Sequence, residues 1–162
     1  MRKYRRIVLL MLAVVVCPFF PGCGGEYLAQ PAPPAEKTVQ PITFQYDHAA
    51  GLEVAERERK PTLIFFSVPK NVGSQRMMET TFRDDEIRRL SEWLVCIHVD
   101  GLHEPELCDS LGVSSFPTII LLDTGGAEVR RLVGRQTPGQ LAVQIHALLQ
   151  VMAQSPQTAS SR

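Results

Sequence analysis

The sequence lacks any two cysteines separated by two residues, although it has four cysteines in 162 residues. They lie at positions 17, 23, 96 and 108, and this spacing excludes a C-x-x-C redox or zinc motif. The chain also lacks a long strongly apolar run. The run at residues 7–16 is too short for a stable membrane-spanning helix, which needs about 20 apolar residues.

An excess of charge of one sign is also absent, since 17 Lys and Arg residues balance 17 Asp and Glu residues. Four of the basic residues precede residue 7, and no acidic residue precedes residue 23, so removing the first 22 residues leaves 13 basic against 17 acidic side chains. A mildly acidic body without a basic stripe excludes nucleic acid as a partner.

The N-terminus has the pattern of an export signal, because a basic segment precedes the apolar run. We predict a leader over residues 1–22. Phe20, Pro21, Gly22 and Cys23 resemble a bacterial lipobox, in which the cysteine receives the lipid. This predicts a lipid-anchored protein on the extracytoplasmic or periplasmic face of a membrane. The alternatives are an uncleaved leader that serves as an anchor and an incidental Cys23.

The composition divides the rest of the chain into three parts. Residues 23–41 are rich in proline and read as a semi-extended tether. Residues 42–152 form the predicted folded domain, and residues 153–162 form a polar tail that we expect to be disordered.

Helical and strand patterns alternate within the domain. We predict helices over residues 47–59, 73–82, 84–93, 104–111 and 137–152, and strands over residues 62–67, 94–99, 118–122 and 128–133. Asp47 is placed to cap the first helix. The order predicts an α/β domain with a central mixed sheet of about four strands and helices on both faces.

Four segments of the domain stand out: KPTLIFFS at 60–67, RMMETTFRD at 76–84, GVSSFPT at 112–118 and RLVG at 131–134. They resemble the thioredoxin-like family, in particular its exported bacterial single-domain type, and the resemblance covers about residues 44–149. It implies a thioredoxin fold.

Aligning the family's motif places its two cysteines at Asn71 and Ser74, so that the segment reads Asn71-Val72-Gly73-Ser74, with Lys70 at the position of the family's tryptophan. Thiol–disulfide exchange needs one thiolate to attack and a second thiol to resolve the mixed disulfide. Asn71 and Ser74 offer neither, so we expect a degenerate active site without catalytic residues, cofactor or metal. Both residues suit a helix start.

The proline of the family's second conserved loop is present as Pro117. The resemblance implies a cis peptide bond that faces the active-site helix, with the backbone of Phe116 pairing with an extended peptide. We therefore predict binding residues at Lys70, Ser115, Phe116 and Pro117. The alternative is that the proline only maintains the fold.

The two cysteines of the domain permit three interpretations. Cys96 and Cys108 form a disulfide, remain buried free thiols, or join His98 and His103 in a metal set whose spacing matches no strong zinc pattern. The predicted function is a membrane-tethered, redox-inactive module of the cell envelope that binds a peptide or protein. The alternative is an atypical oxidoreductase that uses Cys96 and Cys108.

Overall fold

The computed structural model describes residues 39–154. The predicted leader, the lipidation site at Cys23, the tether up to residue 38 and the tail from residue 155 lie outside these residues. Within residues 39–154, no helix is both long enough and apolar enough to cross a membrane.

The described chain alternates between strands and helices. The elements are β1 (Phe44–Gln45), α1 (His48–Glu58), β2 (Thr62–Ser67), α2 (Val72–Glu79), a 3-10 turn (Thr81–Arg83), α3 (Asp85–Ser91), β3 (Val95–Asp100), α4 (Pro105–Ser110), β4 (Thr118–Leu122), β5 (Glu128–Val133) and α5 (Pro138–Gln154).

The strands form one mixed sheet in the order β1-β3-β2-β4-β5. β3 runs parallel to both β1 and β2, whereas β4 is antiparallel to β2 and β5. The predicted mixed sheet is confirmed, with one strand more than the four expected. The additional strand is β1, whose two residues pair with Cys96 and Ile97 and are too few to produce an alternating pattern.

β2 is the central strand, and all six of its residues are buried. Successive side chains of a strand point to opposite faces, so β2 contributes to two cores. Leu63 and Phe65 pack on the face that α2, α3 and α5 cover. Ile64 and Phe66 pack on the opposite face, which α1 and α4 cover. The expected helices on both faces are therefore confirmed.

The helix starts follow side-chain chemistry that the sequence makes visible. Asp47 caps α1 as predicted, since its Oδ1 accepts a hydrogen bond from Ala50 N at 2.9 Å.

The helix predicted over residues 73–82 ends earlier, at Glu79, and the chain continues as the 3-10 turn. Thr81 Oγ1 donates to Gln136 O at 2.7 Å, which ties this turn to the loop before α5.

The first described residues, Val39 and Gln40, are bound to α3 by the side chain of Arg88. The guanidinium group of Arg88 donates to Gln40 O at 3.1 Å and to Val39 O at 2.6 Å. Arg88 also pairs with Asp85 at 3.0 Å. Side-chain hydrogen bonds from Arg88 to two backbone carbonyls therefore hold the last residues of the predicted tether before β1 begins.

Candidate functional site at the start of α2

The start of α2 is fixed by Asn71. Its backbone is extended, and its Oδ1 accepts hydrogen bonds from Ser74 N at 2.9 Å and from Ser74 Oγ at 3.3 Å. A side-chain oxygen at this position satisfies one of the N–H groups that a helix leaves unpaired at its first turn. The capping role expected for Asn71 is confirmed.

The same side chain connects α2 to the loop before β4. Asn71 Nδ2 donates to Phe116 O at 3.0 Å, and the bond between Phe116 and Pro117 is cis. Gly73 lies directly against the proline ring, since a Cβ atom on Gly73 would be 3.0 Å from Pro117 Cδ. The start of α2 and the cis-proline loop therefore touch, as the resemblance implied.

The backbone of Phe116 is only partly free for a partner. Its carbonyl already accepts from Asn71, although a carbonyl oxygen has a second lone pair. Within residues 39–154, no group accepts a hydrogen bond from Phe116 N–H. The Phe116 ring is half-buried and covers Gly101, where an added Cβ would lie 2.4 Å from the ring.

Three exposed apolar side chains belong to residues that adjoin this contact along the chain or across the sheet. Val72, which follows Asn71, is 68% exposed. Leu102, which follows Gly101, is 67% exposed, and Val133 is 60% exposed. Val133 pairs with Thr118 across the β4–β5 ladder, immediately after the cis-proline loop. We call Val72, Leu102, Phe116 and Val133 the apolar rim.

Two other residues predicted to bind a partner lie on the surface beside this contact. Lys70 precedes the cap residue and is exposed. Ser115 is also exposed, and its carbonyl accepts from Thr118 Oγ1 at 2.7 Å.

Within residues 39–154, the Ser74 hydroxyl has no hydrogen bond to a group that could act as its base. Ser74 is only 3% exposed, and its hydroxyl donates a hydrogen bond to the Asn71 amide oxygen. An amide oxygen cannot take up the hydroxyl proton near neutral pH, so the hydrogen bond holds the helix start rather than preparing an alkoxide.

Cys96 and Cys108 are free thiols in this structure, so the possible disulfide is not formed. Each is only 4% exposed, but Cys96 belongs to the core under α2, α3 and α5, whereas Cys108 belongs to the core under α1 and α4. The sheet separates the two side chains. The sequence placed them on adjacent elements but could not show which face α4 covers.

The surroundings of both thiols oppose ionisation. Burial raises the pKa of Cys96 to about 12. Burial also raises the pKa of Cys108, and the carboxylates of Asp109, Glu104 and Asp100 raise it further. The thiolate is the reactive form of cysteine, so both side chains have the surroundings of inert core residues.

The four residues of the weak metal pattern do not converge. Cys96 and Cys108 lie in different cores, and His103 is exposed and pairs with Asp100 at 2.9 Å. In the part of the chain that the structure describes, no group of three or more His, Cys, Asp and Glu side chains is placed to hold a metal ion.

Sequence reasoning missed a polar pair at the ends of two neighbouring strands. Ser67 Oγ and His98 Nε2 are 2.7 Å apart, and Phe65 stacks on the imidazole with ring centroids 5.2 Å apart. The parallel register places Phe65 beside His98 and Ser67 beside Asp100. Pairing the predicted strands over residues 62–67 and 94–99 in parallel register would have brought Ser67 near His98, but the sequence analysis did not assign their direction.

Comparison with known proteins agrees with the fold. A family model described as a thioredoxin-like domain matches residues 49–149. A thioredoxin from Thermus thermophilus superposes with a TM-score of 0.63, at 18% identity over 75% of this chain and 98% of that chain. A protein described as DsbH oxidoreductase superposes with a TM-score of 0.60, at 19% identity over 78% of this chain and 95% of that chain.

A poplar thioredoxin h gives a TM-score of 0.55, at 24% identity over 62% of this chain and 86% of that chain. These identities establish a shared fold only. No curated protein matches the sequence. Because the family model covers more than half of the 162 residues, this chain belongs to the thioredoxin-like domain family.

Proposed function

We propose that this protein is a redox-inactive binding module of the cell envelope, tethered to a membrane through Cys23, which holds an extended peptide or protein segment against its cis-proline loop. The observation that carries the proposal is the contact between Asn71 and Phe116. At the helix start where thioredoxin-like proteins are expected to hold a reactive cysteine, an amide side chain caps the helix and fixes the loop.

The surface around this contact suits an extended partner. The N–H of Phe116, which has no acceptor within residues 39–154, and the second lone pair of its carbonyl offer one donor and one acceptor to a partner backbone. The apolar rim supplies area for side chains, because desolvation of exposed apolar groups favours association. A rigid loop also lowers the entropy cost of binding.

Thiol exchange through Cys96 and Cys108 has no geometric support. Both thiols are buried on opposite faces of the sheet, and the pKa of each is raised. An insulin-reduction assay tests the redox-inactive part of the proposal directly. Reduction at a rate typical of active thioredoxins would refute it.

The binding part is tested with arrays of overlapping 15-residue peptides from envelope proteins. We expect Phe116→Asp and Val72→Asp to lose most binding, because each puts a charge on the apolar rim. Val143→Asp is the matched control, since Val143 is 63% exposed but lies on α5. Peptide binding that survives both rim substitutions would refute the proposed surface.

The tether is tested by the intact mass of the native protein. Removal of residues 1–22 together with a mass increase that corresponds to acylation of Cys23 is the expected result, and Cys23→Ala should release the protein from the membrane fraction. An unmodified Cys23 in the mature protein would refute lipid anchoring.

A further inference from the structure

Beyond the binding role, we propose that Ser67 and His98 form a nucleophile–base pair that hydrolyses small uncharged acyl esters. The two side chains lie at the carboxyl ends of β2 and β3, and the hydroxyl and Nε2 are 2.7 Å apart. This is the distance at which an imidazole takes the proton of an attacking serine. Neither residue belongs to the proposed peptide-binding surface.

His98 is held in position by its neighbours. Phe65 stacks on its ring, and Phe44 and Tyr46 lie at centroid distances of 5.7 Å and 5.6 Å. A fixed ring keeps Nε2 directed at Ser67 without further ordering cost. Phe44 and Phe65 carry no group that could compete for Nε2, and within residues 39–154 the His98 ring has no hydrogen bond to Tyr46.

The surroundings of His98 favour the neutral base at rest, and the Asp100 carboxylate offsets part of the cost of the cation that forms during reaction. Burial lowers the pKa of His98 below its usual 6.5, while the charge of Asp100 opposes this shift. Base action needs the resting proton on Nδ1, and this buried atom has no hydrogen-bond partner within residues 39–154. Asp100 lies two residues further along the same strand and therefore on the same face.

The pair opens into a cleft of roughly 450 Å³, which has room for a small substrate. Val68, Pro69 and Met78 form an apolar wall, and Asp100 and Glu79 add two carboxylates. Lys and Arg are absent from the described residues that line the cleft. This lining accepts a short acyl chain and repels anions, so the substrate class is a neutral short-chain ester.

The reaction balances with water as the second substrate. Ser67 Oγ attacks the ester carbonyl carbon while its proton moves to His98 Nε2. The carbon–oxygen bond to the alcohol breaks, and the proton passes from Nε2 to the departing alcohol. Water then attacks the acyl-serine with His98 again as base, which releases the carboxylic acid and restores the Ser67 hydroxyl.

The test is covalent labelling of the full chain with a fluorophosphonate, followed by intact mass and peptide mapping. We expect one label on Ser67. Ser74 is an internal control, because it lines the same cleft but its hydroxyl donates to Asn71 rather than to an imidazole. A label elsewhere, or no label, would overturn the proposal.

His98→Gln should slow labelling at least about 100-fold, the lower range of general-base contributions. His146→Gln is the matched control and should label at the wild-type rate, since His146 is a surface residue near Glu86. If His98→Gln does not fold, the pH profile of the wild type decides. The labelling rate must then rise through one transition below pH 6.5.

Hydrolysis of p-nitrophenyl acetate provides a second readout. Turnover should be lost in Ser67→Ala and should exceed turnover of a p-nitrophenyl hemiester that carries a free carboxylate. Equal rates in Ser67→Ala and the wild type would assign the hydrolysis to another group and refute the proposed nucleophile.

Discussion

Replacing Asn71 by alanine removes three hydrogen bonds at once: two that the amide oxygen accepts from Ser74 and one that the amide nitrogen donates to Phe116 O. Loss of a helix cap costs about 1 kcal/mol. Loss of a hydrogen bond between distant segments costs about another 1 kcal/mol. We therefore expect Asn71→Ala to lower the free energy of unfolding by about 2 kcal/mol.

Urea unfolding monitored by circular dichroism measures this change. With a urea dependence of about 2 kcal/mol per molar, the midpoint should fall by about 1 M. Asp47→Ala is the matched control, because the Asp47 side chain caps α1 through one exposed hydrogen bond to the nearby Ala50 N and that bond reaches no distant loop. We expect Asp47→Ala to lower the free energy of unfolding by about 1 kcal/mol.

The difference between the two variants isolates the hydrogen bond to the cis-proline loop. Asn71→Asp should fall between the wild type and Asn71→Ala, since a carboxylate retains the cap but cannot donate to Phe116 O. If Asn71→Ala costs no more than Asp47→Ala, the bond to the loop contributes nothing, and the role given to Asn71 in fixing the binding surface is wrong.

Three further outcomes follow from other buried groups. Because folding lowers the pKa of His98, the unfolded chain binds more protons than the folded chain just below pH 6.5. The free energy of unfolding should therefore decrease as the pH falls through this range. His98→Gln should reduce the slope of the free energy of unfolding, measured with urea, against pH. Cys96 and Cys108 should react with an aromatic disulfide reagent at full rate only in denaturant, and rapid reaction of either thiol in native buffer would contradict their assigned burial. Gly101→Ala should displace the Phe116 ring and lower the free energy of unfolding by about 1–3 kcal/mol, which urea unfolding measures. An unchanged midpoint would show that the ring moves aside freely.

The sequence predicted the elements that have strong periodic or capping signals. The apolar run of β2 and the Asp47 cap correspond closely to the structure, because each depends on residues that are adjacent in the chain. β1 was missed because two residues make no pattern. The break between the two predicted helices lies nearer to the N-terminus than expected, at a turn where Thr81 bonds to Gln136, 55 residues away, a contact that local patterns do not reveal.

The candidate site was predictable only in part. The Asn71 cap and the cis bond before Pro117 were expected, but the hydrogen bond from Asn71 to Phe116 O was not, since it depends on where two distant loops meet. The placement of Cys108 relative to Cys96 was left open for the same reason, and the interpretation as buried free thiols is the one that the structure confirms. Strand periodicity gives the face of a side chain on its own strand, but it does not give the side of the sheet on which a later helix packs.

The hydrogen bonds from Arg88 to Val39 O and Gln40 O have a mechanical consequence. A pull on the chain ahead of Val39 would load these bonds first and then the two-residue β1, which is an edge strand. Both can detach while β3, β2, β4 and β5 remain paired. Under tension, the segment from Val39 to the end of β1 would thus detach before the part of the domain that carries Asn71 and Pro117 unfolds.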